Sequence, residues 1–156
     1  MNYFKTHLNL VIAIVFLLLA TIFFISFYQL KFNKHPQIKI EKTIVDSAEL
    51  PELFPKDIPI EKDAKITQNY NATSPDGRFQ ATRAFETKKT LDENLKIYQD
   101  YFKKNKWEVQ STLDTDANYK MIFAVKLPYQ VQISMNKNTT TGVKTVDISL
   151  TKLSSK

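Results

Sequence analysis

One stretch constrains this chain more than any other: Leu8 to Leu30, LNLVIAIVFLLLATIFFISFYQL. It carries no charge, and its strongly polar positions are Asn9, Thr21, Ser26 and Gln29. Leu10 to Tyr28 is 19 residues; at ~1.5 Å of rise each they cover ~28 Å, close to the ~30 Å hydrocarbon core of a bilayer. A helix packed on a globular core would show a polar face, and this one shows none. The segment predicts a transmembrane helix over residues 10–30, with Tyr28 at the depth of aromatic belts. The apolar run exceeds the h-region of a signal peptide and no A-x-A pattern follows it, so the anchor is expected to stay uncleaved. Residues 1–9 form a short tail, 31–63 a basic juxtamembrane segment and stalk, and 64–153 one domain.

The formal charge of +6 resembles a nucleic-acid signal until it is located along the chain. Residues 31–42 hold Lys31, Lys34, Lys39 and Lys42 against Glu41, whereas residues 43–156 are nearly balanced, with 17 basic and 15 acidic side chains. The excess is juxtamembrane, where each lysine near anionic lipid gains ~1 kcal/mol. Those four lysines are therefore candidate membrane-lipid contacts, and no nucleic-acid partner is expected for the domain. The chain has no cysteine, which removes disulfides, thiolate metal sites, cysteine nucleophiles and lipoprotein acylation together.

Its two histidines, His7 and His35, both precede the domain, so no Ser-His-Asp triad is available there. Asp114-Thr115-Asp116-Ala117-Asn118 imitates the opening of a calcium loop, but Tyr119 and Val125 stand where glycine and a bidentate glutamate belong. A hairpin loop is the better reading. No cofactor, metal or enzymatic activity is expected. Arg83, on the apolar face of its strand, is the one candidate ligand anchor.

Pro51, Pro55 and Pro59 recur every fourth residue, which forbids regular helix and holds the segment extended. Residues 43–63 are expected to be a semi-rigid spacer, its second half packing on the domain through Leu53, Phe54, Ile58 and Ile60. Lys65–Asn71 and Arg78–Thr87 flank Ser74-Pro75-Asp76-Gly77 and read as a β-hairpin. Thr90-Leu91-Asp92-Glu93 fits a capping box, and Leu91, Leu95, Tyr98 and Phe102 form the apolar stripe of a helix over 90–105.

Four further strands alternate with period two, the mark of an antiparallel sheet with one buried face. The expected order is ββαββββ. The helix is expected to cover Trp107, Phe123, Val125, Ile133 and Ile148. Around Pro128, a three-residue loop would pair Val125 with Val131, Phe123 with Ile133 and Met121 with Met135, keeping apolar residues together.

The motifs Pro55-Lys56-Asp57-Ile58-Pro59 and Phe85-Glu86-Thr87, with Tyr98 in the helix and Trp107 after it, resemble those of small uncharacterised bacterial domains carried on a membrane or lipid anchor. In that pattern a Phe-Tyr pair stands in the helix and a Gly-Trp pair follows it; here the pairs are Ile97-Tyr98 and Lys106-Trp107. The resemblance covers about residues 51–151. It implies a bacterial envelope protein and transfers no functional residue.

The expected function is a membrane-anchored envelope binding or accessory module acting by protein contact through an open sheet edge or the wet face. The alternative is a ligand-binding domain for an envelope component. A pilin-like subunit would also begin with an apolar helix, but the three prolines and the lack of an early acidic residue oppose it. Positive-inside counting places the domain in the cytoplasm. The short N-tail, the stalk and the envelope resemblance place it outside, and the extracytoplasmic side is the expectation.

Overall fold

The computed structural model describes residues 40–153. The expected membrane helix, Lys31, Lys34 and Lys39 lie outside them, and among the described residues no helix is long and apolar enough to cross a membrane. The described residues form an α+β unit. Its strands are β1 (Glu41–Ile44), β2 (Ile66–Thr73), β3 (Phe79–Thr87), β4 (Glu108–Leu113), β5 (Tyr119–Lys126), β6 (Tyr129–Lys137) and β7 (Lys144–Lys152), with helix α1 (Leu91–Lys104) between β3 and β4. All pair antiparallel in one sheet of order β1-β2-β3-β7-β6-β5-β4. Two meanders thus meet at β3 and β7, and α1 carries the chain from the first to the far edge of the second.

Local chemistry explains the elements. Ser74 and Gly77 close the β2–β3 turn through a 2.9 Å backbone bond, with Gly77 at φ +79, where a side chain would be strained. Thr90 and Glu93 form the capping box, and Leu91, Leu95, Tyr98 and Phe102 are buried as the periodicity requires. The helix ends in a Schellman motif. Trp107 N–H donates to the Phe102 carbonyl at 2.9 Å while the two rings pack at 5.8 Å, the hydrophobic contact that accompanies this cap. Lys106 occupies its left-handed position, at φ +57.

The sheet begins earlier than the composition implies. β1, within the expected stalk, hydrogen-bonds to β2. Residues 45–64 form a strap on the same side of the sheet as α1, and Phe54 and Ile58 are buried in the common core. Ile60 packs against that core as expected, whereas Leu53 is exposed. The Tyr98 hydroxyl donates to the Pro59 carbonyl at 2.9 Å, and Tyr101 to Asp57 at 3.2 Å. Burial pushes both phenols up from their ordinary range.

The expected face of β5 is inverted. Ile122 and Ala124 are wholly buried under α1, while Phe123 and Val125 lie on the opposite face and are half-buried. The register follows: Leu127 and Pro128 make a two-residue turn, pairing Ala124 with Val131, Ile122 with Ile133 and Lys120 with Met135. Alternation misleads because the odd row, Tyr119 to Leu127, is the more apolar. The even row wins because its lysines match the ends of α1. Lys120 pairs with Asp92 at 2.8 Å and with Asp114, and Lys126 donates to the Asn105 carbonyl at 3.0 Å. Six strand residues at ~3.3 Å and thirteen helical residues at ~1.5 Å both span ~20 Å, so one strand staples both helix ends. Ala124 between the lysines lets the helix approach closely.

Candidate binding face

With α1 and the strap on one side, the other side of the sheet carries no chain among the described residues. Register places its side chains in rungs across β3, β7, β6 and β5. Gln80, Thr151, Gln130 and Val125 make the first rung, and Thr82, Ser149, Gln132 and Phe123 the second. Ala84, Asp147, Ser134 and Met121 form the third, and Glu86, Thr145, Asn136 and Tyr119 the fourth. Three columns are polar and the fourth, on β5, is apolar. Of the twelve positions on β3, β7 and β6, nine are uncharged amides or hydroxyls and none is basic. Thr82 and Ala84 are buried, and the other ten positions are half-buried or exposed.

Side-chain bonds order part of this surface. Gln80 Nε2 donates to Thr82 Oγ1 at 3.0 Å and to Ser149 Oγ at 2.9 Å. Gln132 Nε2 donates to Ser134 Oγ at 3.4 Å, as does the Tyr119 hydroxyl. Asp147, flanked by Ala84 and Ser134, is half-buried, and burial alone pushes its carboxyl above the usual range. At one end a depression of about 230 Å³ opens between the polar Gln80, Gln130 and Thr151, the apolar Ile40, Ala72 and Phe79, and Arg78. At the far edge Lys42 lies over the Tyr70 ring at 3.7 Å.

Two other concavities involve the strap. A groove of about 290 Å³ beside Trp107, Tyr129 and Pro55 has its polar groups paired already, Tyr101 to Asp57 and Lys126 to the Asn105 carbonyl. A depression of about 460 Å³ lies at Leu53, Phe79, Pro128 and Leu153.

Arg83 is placed in the interior, 7% exposed. Its guanidinium donates to the Glu49 carbonyl at 2.6 Å, the Ser47 carbonyl at 2.8 Å and Asn69 Oδ1 at 3.0 Å. Asn69 in turn donates to the Asp46 carbonyl at 2.6 Å. The pair clamps the start of the strap to β2 and β3. Arg83 Nε is the one buried side-chain polar atom without a partner among the described residues. Asp92 and Asp114 serve as partners of Lys120, whose ammonium they hold above its ordinary range, Asp114 most strongly. Asp147 and the glutamines of β3 and β6 read in sequence only as wet alternates. The missing signal was their lack of lysine.

Searched against protein-family models, curated proteins and solved structures, the chain finds no match. The described residues define an α+β class, with one helix and one strap on a seven-stranded antiparallel sheet.

Proposed function

We propose that this chain is a membrane-anchored, non-catalytic binding module of a bacterial envelope, held by residues 10–30 and presenting its uncovered sheet face outside the cytoplasm. The observation that carries the reading is that face: among the described residues neither helix nor strap lies on it, and its β3, β7 and β6 columns hold no lysine or arginine. A hydrophobic core has no use for such a surface, and an ordinary solvated face would be charged. A photo-crosslinking residue at Gln132, in the full chain in intact cells, should give one discrete adduct, and the same residue at exposed Lys96 on α1 none. Equal labelling at both positions, or none at either, removes the face from consideration. A membrane-impermeant amine reagent should label Lys88 and Lys103 before lysis; labelling only afterwards places the domain inside.

A second contact surface is favoured by β4, an edge strand with all six residues exposed. Unpaired backbone there accepts a partner strand. Gln110→Pro, in the β4 bulge, should leave the fold intact and block such pairing. Loss of the partner in that variant, with the Gln132 adduct unchanged, would assign contact to the edge.

A further inference from the structure

Register brings six strand ends together: Lys126, Tyr129, Lys152, Phe79, Thr73 and Glu41 share one rung across β5, β6, β7, β3, β2 and β1. All three depressions open at this end. Phe79 joins the first to that at Leu53 and Leu153, and Pro128 with its neighbour Leu127 joins that one to the groove beside Trp107. The result is a continuous apolar rim from Ile40 through Phe79, Leu53 and Pro128 to Leu127. Leu127, 78% exposed, is the most exposed large apolar side chain among the described residues. It stands in a two-residue turn, where glycine, asparagine or aspartate is the usual choice. Two loops at the opposite end, Asp114 to Asn118 and Asn138 to Gly142, hold one apolar side chain between them, Ala117. Ile44, Leu113 and Val143 are exposed as well but lie away from the rim.

Charge at this end is mixed, with Arg78, Lys126 and Lys152 against Glu41, Glu52 and Asp76. It selects neither a polyanion nor a polycation, so the distinguishing property of the rim is its apolar exposure. Ile40 is also where the chain enters β1, and nine residues, 31–39, separate it from the expected membrane span. A link that short makes an encounter with lipid effectively intramolecular, and a rim too small to hold a membrane by itself then suffices. We propose that this end of the sheet rests on the bilayer surface, Leu127 entering the boundary between headgroups and acyl chains with Ile40, Leu53 and Pro128 beside it. The inference rests on the anchor proposed for residues 10–30 and names lipid as the partner of one end of the sheet.

The chain has no cysteine, so an environment-sensitive dye can be placed on Leu127→Cys, at the rim, or on Thr140→Cys, in the polar loop at the opposite end. Both positions are exposed, and neither change touches the core. In the full chain reconstituted in phosphatidylcholine vesicles, the dye at 127 should emit at shorter wavelength than the dye at 140. It alone should lose intensity when the acyl chains carry a nitroxide. Raising the salt should leave the shift in place, because the contact is apolar. Leu127→Asp should abolish the lipid quenching of a dye on Leu53→Cys. A chain that fails to float with the vesicles overturns the anchor and this contact together. Flotation with an unquenched dye at 127, equal quenching at 127 and 140, or indifference to Leu127→Asp overturns the contact and leaves the anchor standing. A shifted dye at 127 that the lipid nitroxide does not quench places a protein on the rim, and overturns it as well.

Discussion

At the scale of single residues, the decisive side chains are those whose partner lies far along the chain. Phe123 and Ile122 are adjacent, yet only Ile122 is wholly buried. Ile122→Ala should cost ~2–5 kcal/mol, cavity included, and Phe123→Ala roughly half that or less, because its ring keeps one side in water. Thermal unfolding of residues 38–156 decides it, and equal losses would restore the expected face. Asp147 gives a pH signature. Its folded pKa is raised by burial, so its contribution is fully present below about pH 4 and is lost as pH rises through the folded value. Asp147→Asn should therefore be more stable than the native chain at neutral pH, and the two unfolding curves should converge in acid. Arg83 and Lys120 were open to misreading for one reason: a buried cation looks like a site or a surface until its carbonyl or carboxylate partners are in view.

Among the elements, helix α1 is the most locally encoded, with its capping box, stripe and C-terminal lysines all in sixteen consecutive residues, Thr90 to Asn105. Its weak point is Lys106, a side-chain-bearing residue in the left-handed region. Glycine adopts that conformation without the Cβ clash. Lys106→Gly should stabilise the domain by ~1 kcal/mol, read as a rise in denaturant midpoint at unchanged slope. A fall in midpoint would mean that the lysine side chain has a compensating contact. Strand β5 is the opposite case. Its alternation is plain, but which row faces inward depends on Asp92, Asp114 and Asn105, each supplied by another part of the chain.

For the whole molecule, the strap is the integrating part. Phe54 and Ile58 fill the core, and Thr87 donates to Glu61 at 2.6 Å, a bond that holds the Glu61 carboxyl below its usual range. That contribution is present above the ordinary glutamate range and disappears as pH falls through the folded value. A fragment of residues 64–153 lacks β1 and both buried strap residues. It should lose cooperative unfolding that residues 38–156 retain, and a sharp transition in the shorter fragment would return the strap to the status of a spacer. The α+β class, the helix, the β2–β3 hairpin and the four later strands were legible in the sequence because periodicity, capping and turn chemistry act over fewer than twenty residues. The β5 face, the enclosure of Arg83, the strap in the core and the polar columns of β3, β7 and β6 were decided by tertiary structure. Each depends on groups brought together from distant positions, such as Arg83 with Ser47 and Lys120 with Asp92, and local pattern carries no record of such partners.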